Sequence, residues 1–96
     1  AHADLRGAQL ARAHLDGANL RNALLEAADL ADASLVGANL EGVVADGASF
    51  VRARLARAVL AHASVDGADF EAADLRGARV YGLMAGEGSV RADDSS

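Results

Sequence analysis

Residues 38–52 read Ala38-Asn39-Leu40-Glu41-Gly42, then Val43-Val44-Ala45-Asp46-Gly47, then Ala48-Ser49-Phe50-Val51-Arg52. The outer two blocks put alanine first and a large apolar residue third. The middle block reverses the sizes, with valine first and alanine third. Volume is moved between two positions and not lost, the exchange that a close-packed interior tolerates best. Positions one and three of a five-residue unit therefore both face inward. Working outward from this stretch, the unit recurs 16 times without insertion from Ala3 to Gly82. Alanine holds position one in 15 of the 16 units, and Leu, Phe or Val holds position three in the same 15. Positions two, four and five carry nearly all the charge.

A period of five fits neither common element. Five residues turn an α-helix about 140° past a full turn, so the leucines would spiral round every face. A plain strand alternates strictly, whereas here two inward residues are followed by two outward ones. A coil with short straight sides fits: positions one and three in, position two out, positions four and five at a corner. Glycine at position five in eight units (Gly7, Gly17, Gly37, Gly42, Gly47, Gly67, Gly77, Gly82) suits a tight bend.

Charge tests the number of sides, because stacked coils bring equivalent positions to about 4.8 Å. At 20 residues per coil, Arg6–Glu26, Arg12–Asp32, Asp32–Arg52, Arg21–Glu41 and Arg54–Asp74 stack as opposite charges, against two like pairs, Glu26–Asp46 and Asp46–Asp66. At 15 per coil there is one opposite pair, Arg54–Asp69, against two like pairs, Arg6–Arg21 and Glu26–Glu41. Phe50 on Phe70 and Asn19 on Asn39 also stack at 20. Four sides are expected.

The pattern A-(D/N)-L-X-X, with Ala3-Asp4-Leu5-Arg6-Gly7 and Ala38-Asn39-Leu40-Glu41-Gly42 as near-consensus copies, resembles the pentapeptide repeat family over 80 of the 96 residues. The resemblance implies an all-β fold: a right-handed quadrilateral parallel β-helix of four complete coils. The expected organisation is this β-helix over residues 1–82, followed by a degenerate repeat or C-terminal tail over 83–96. Within that tail, Ala92-Asp93-Asp94-Ser95-Ser96 resembles Ala45-Asp46-Gly47-Ala48-Ser49 at an offset of 47, as if the repeat resumed after a two-residue bulge. Ala1-His2-Ala3 likewise matches Ala61-His62-Ala63. These ends suggest a piece of a longer array, a frayed acidic-serine tail being the plain alternative.

Composition narrows the chemistry. Twenty-five of the residues are alanine and 3% are aromatic, too few large side chains for a conventional globule of this length. With no cysteine, thiol, disulfide and Cys-zinc chemistry are excluded. No apolar run is long enough to span a membrane, where about 20 residues are needed. A net charge of −5, with nine arginines and no lysine, argues against direct nucleic-acid binding. His2, His14 and His62 fall on different sides or coils, so no shared metal site is expected, nor any cofactor. No phosphate loop, dinucleotide fingerprint or nucleophile elbow is present, and no catalytic residue is expected.

On the four sides in chain order the charge is −3, −2, +1 and +1. Side one carries the acidic ladder Glu26, Asp46, Asp66, with Leu24 and Val44 stacked outward beside it. Arg52, Arg54 and Arg57 cluster round one corner, where a solvated salt-bridge network is the simpler reading than a phosphate site. Tyr81 is the one aromatic residue pointing outward. These six residues (Glu26, Asp46, Asp66, Leu24, Val44, Tyr81) form the candidate interaction surface.

The expected function is a non-catalytic scaffold with a protein partner. Exposed coil ends further predict end-to-end self-association or a homodimer. The resemblance offers an alternative, because some family members imitate duplex DNA, bind type II topoisomerases such as DNA gyrase and protect them from quinolones. The two adjacent acidic sides point that way; a charge of only −3 over the repeat, with two positive sides, points against it.

Overall fold

The fold follows from where each backbone N–H of the five-residue unit finds an acceptor. In a computed structural model, residues 3–84 and 91–92 are described. The residues with positive φ between Ala3 and Met84 are the 16 position-five residues from Gly7 to Gly82, with φ from 59° to 73°. Each lets the chain turn, and the next N–H, at position one, donates to the position-three carbonyl three residues back, as Ala8 does to Leu5 at 3.0 Å.

Three of the remaining N–H groups bond between coils. Position two donates to position one of the coil before (Leu24 to Ala3, 2.8 Å). Position three donates to position two of the coil after (Leu5 to Leu24, 2.8 Å), and position five to its position four (Gly7 to Glu26, 2.9 Å).

Position four is left over, and in eight of the sixteen units a side chain meets it. Asp4, Asn19, Asp29, Asn39, Asp69 and Asp74, all at position two, each accept the N–H two residues on through Oδ1 at 3.0 to 3.2 Å. This is an Asx-type turn, and it explains physically why Asp and Asn recur there.

The ladder is parallel, and every isolated bridge from Asp4↔Leu24 to Ser64↔Met84 advances 20 residues, four units. Asn19 pairs with Asn39, and the Phe50 and Phe70 rings stack with centroids 4.8 Å apart and planes 6° from parallel. The β character is more sparing than an all-β fold suggests. Among the described residues only β1 (Asp69–Phe70) and β2 (Arg91–Ala92) form runs of two, paired parallel as Asp69↔Arg91 and Phe70↔Ala92. The physical reason is the left-handed residue at each fifth position, which ends the extended segment after position three and leaves one bridge per side. The β1–β2 offset is 22 residues, two more than the bridges elsewhere.

The interior is a stack of Ala and Leu. Ala23, Leu25, Ala28, Leu30 and their equivalents through Ala73 are buried, and Val43 and Ala45 are both fully buried, so the size exchange is accommodated inside. Among the described residues no buried side chain is polar. Burial fades at both ends. Leu5, Leu10, Leu15 and Leu20 in the first coil are half-buried, as are Leu75 and Leu83, while Val80 and Met84 are exposed. No helix among the described residues is long and apolar enough to cross a membrane.

The left-handed residues differ in strain, since a side chain there costs about 1–2 kcal/mol that glycine avoids. Ala27, at φ 60°, is exposed. Ala27→Gly is expected to raise the urea midpoint, a gain of about 0.5–1 kcal/mol in unfolding free energy after the extra flexibility of unfolded glycine is set against it. Gly42→Ala is expected to lower the midpoint more than Gly47→Ala, because its added methyl meets the Asn22 side chain whereas that of Gly47 meets open space.

Candidate interaction surface

Side one is built by one column of position-two residues and one of position-four residues. The position-two column runs Asp4, Leu24, Val44, Ser64, Met84 by successive bridges. In the position-four column, Gly7 donates to the Glu26 carbonyl, Ala27 to that of Asp46 and Gly47 to that of Asp66, all at 2.9 to 3.0 Å, so the three acids stand one above another. Five of the six candidate residues thus share a face. Leu24 and Val44 are half-buried there, not the fully exposed pair their outward register suggests, and Glu26 and Asp46 are half-buried beside them. Tyr81 lies on the next side, 61% exposed, its ring edge-on to His62 at 5.5 Å. Ala61, one coil below Tyr81, is fully buried although its position faces outward.

The acidic ladder is not three free carboxylates. Asp46 Oδ1 accepts the Ser64 hydroxyl at 2.7 Å and the Asp66 backbone N–H at 3.0 Å. It supplies from the coil before what a position-two Asp supplies within its own unit, because Ser64 occupies that place. Asp16 does the same for Ser34 and for the Val36 N–H. The signal was present in the sequence as an Asp at position four followed 18 residues later by a Ser at position two, Asp16…Ser34 and Asp46…Ser64.

The ion pairs divide between the stacked arrangement and a local one. Arg52 meets Asp32 at 2.9 Å and Arg21 meets Glu41 at 3.5 Å, each across one coil step. Arg6 instead forks onto Asp4, and Arg76 onto Asp74, within single units, at 2.8 Å. They displace the expected Arg6–Glu26 and Arg54–Asp74 contacts. The cause is preorganisation. The carboxylate already holds the position-four backbone N–H, so an arginine at that position needs only to fold back onto it. Asp32 bonds Arg52, and Arg12 reaches it only through its field.

These contacts hold carboxylates low. The Arg6 guanidinium, then the Arg6 backbone N–H, bring Asp4 down to about 2, and Arg76 does the same for Asp74. The Ser34 hydroxyl and the Val36 N–H lower Asp16, and Arg52 lowers Asp32. Among the described residues no cluster of His, Asp and Glu is arranged to hold a metal.

Two outcomes follow. Removing one cap, Asn39→Ala, is expected to lower stability by about 1 kcal/mol in urea titration, the usual net worth of such a bond, while Asn39→Asp is expected to be tolerated. Acid should act in a defined window. The folded-state pKa of Asp4 and of Asp74 lies at about 2, below the usual range of an aspartate, so the unfolded chain takes up protons first. Their contribution is whole above about pH 4 and is lost as pH falls toward about 2. Thermal melts across this range should show that loss, and Asp4→Asn with Asp74→Asn should flatten it.

The geometry matches known proteins. The family model for pentapeptide repeats (8 copies) matches residues 3–42, 23–60 and 53–83. Among solved structures, the chain is similar to alr5209, a pentapeptide repeat protein from Nostoc PCC 7120, at 30% identity and a TM-score of 0.77, over 92% of this chain and 77% of that one. It is also similar to the pentapeptide repeat protein Rfr23 from the cyanobacterium Cyanothece 51142, at 26% identity and a TM-score of 0.51, over 88% of this chain and 64% of that one. A comparison with curated proteins gave no match. The model spans the repeat from its first unit to its last, and the bridges and caps of that repeat are those of the fold described above: the chain belongs to the pentapeptide repeat family.

Proposed function

We propose that the chain is a non-catalytic scaffold, a right-handed four-sided column of four complete coils from Ala3 to Gly82 whose outward faces receive a protein partner. The observation that carries this reading is the use to which polar side chains are put. Six position-two Asp and Asn residues cap turns within their units, Asp16 and Asp46 cap turns across coils, and the inward positions are hydrocarbon. Carboxylate catalysis requires a nucleophile or bound water, a positioned proton donor and an enclosing cleft. The Glu26–Asp46–Asp66 column stands on an open face, with Asp46 committed to Ser64 and Asp66. To a partner, side one offers Leu24 and Val44 as an apolar strip flanked by acids, the arrangement of an interface core with a polar rim.

The DNA-mimic reading rests on the two adjacent acidic sides. It is weakened by the pairing of Asp32 with Arg52 and by the positive charge of sides three and four. A DNA-binding saddle would meet negative charge on half the circumference only.

A gyrase supercoiling assay, with and without a fluoroquinolone, separates the two. The scaffold reading expects no inhibition and no protection across a titration of the protein. Inhibition at low micromolar protein, weakened in the Glu26→Ala, Asp46→Ala, Asp66→Ala triple variant, would overturn it in favour of the mimic.

A further inference from the structure

We propose that side four, at the level of its third and fourth units, is a docking face for an acidic segment of a protein partner, in which carboxylates flank an apolar side chain. This goes beyond the reading of side one: it is a second face on the adjoining side, opposite in charge. Residues 18–22, 38–42, 58–62 and 78–82 build side four. In its upper half Val59 is bridged to Arg79, and the His62 N–H donates to the Tyr81 carbonyl at 3.1 Å. Arg57 stands at the corner where the third coil enters this side, and His62 at the corner where it leaves.

The cations here are uncommitted. Of the cluster Arg52, Arg54 and Arg57, Arg52 holds Asp32, and Arg54 is bridged to Asp74. Arg57 and Arg79 are exposed and make no ion pair or side-chain hydrogen bond among the described residues. The one acid of this side, Glu41, is bonded one coil down to Arg21 at 3.5 Å. Between the two arginines and His62 the surface is apolar, with Val59 half-buried and Ala61 fully buried. Tyr81 rises beside them, 61% exposed. Exposed Arg and Tyr around an apolar floor are the side chains on which interface energy concentrates.

The two corner side chains are also held in place. Glycine stands one coil above each, Gly77 over Arg57 and Gly82 over His62. A methyl group on Gly77 would come within 3.2 Å of Arg57 Cγ, and one on Gly82 would strike the His62 ring. Both side chains therefore lie up the column, beside the unit that carries Arg79 and Tyr81. Carboxylates take guanidinium groups in a two-pronged, charge-assisted contact, and an apolar side chain between them rests on Val59 against the Tyr81 ring. The chain itself, where it is described beyond Met84, pairs at Arg91–Ala92 with Asp69–Phe70 on side two, across the column from this face.

An NMR titration of the 96-residue chain with a synthetic peptide, one leucine flanked on each side by two glutamates, tests this. At low salt the amide signals of Arg57, His62, Arg79 and Tyr81 are expected to shift, those of Glu26, Asp46 and Asp66 to stay, and added salt to weaken the binding. Arg57→Gly with Arg79→Asn removes both charges using residues that the repeat itself places at those positions. That variant is expected to keep or raise its thermal midpoint while binding weakens at least about tenfold. Tyr81→Ala is expected to weaken binding with both arginines in place, and it reads the face even if the double variant fails to fold. The same peptide with lysine for glutamate should leave side four unshifted. No shift up to millimolar peptide, equal binding of the lysine peptide at side four, or unchanged binding in the double variant would each overturn the proposal. So would a rise in mass of the chain alone that shifts these same signals, the mark of a second copy in place of a partner. None of these measurements involves gyrase or side one, so failure here is distinct from failure of the scaffold reading.

Discussion

A left-handed residue at every fifth position is the constraint on which the structure depends. It folds the chain back after each short extended segment, so that the next N–H closes onto the position-three carbonyl. It also stops any side from growing into a longer strand, which is why bridges of one residue, and not strands, carry the ladder. Eight of these residues are not glycine and accept the strain. In seven of them, from Arg12 to His62, the position-five N–H donates to the next coil while position one closes the turn, and these bonds hold the conformation.

The same turn leaves one backbone donor without a ladder partner, the N–H of position four. Buried or crowded backbone donors are costly unless met, and meeting this one consumes much of the chain's outward acidity. An Asp or Asn at position two answers it locally in six units; at two of the three units with serine there, an Asp from the preceding coil answers it across the step, Asp16 at Ser34 and Asp46 at Ser64. Charge counted from the sequence therefore overstates the charge available to a partner. Asp4 and Asp74 are each tied to an arginine as well as to a turn. The face that remains has a short apolar strip, Leu24 and Val44, with Glu26 and Asp66 at its margin.

Much of this was legible in the residues. The exchange of sizes at Val43 and Ala45 placed two positions inside, the recurrence of five excluded a helix, and the stacking of Phe50 on Phe70 and of Asp32 on Arg52 follows from a 20-residue step. These readings succeed because burial and register are imposed by a repeat: each unit sees nearly the same surroundings as the last. Of the candidate face only the placement was legible: five of its residues share side one, and Tyr81 falls on the neighbouring side.

What the sequence determined by itself was the period, the inward positions and the corner, because these depend on residue size and backbone freedom within one unit. What only the tertiary structure decided was which partner each polar group takes. Arg6 has Glu26 one coil away and Asp4 two residues away, and it binds Asp4, whose carboxylate is already fixed by the turn. Asp46 reads as one rung of an acidic ladder, yet it serves the backbone of Asp66. In each case the choice lies between neighbours that a linear pattern makes equivalent. It is settled by which oxygen the turn has oriented beforehand, a property of atoms in space.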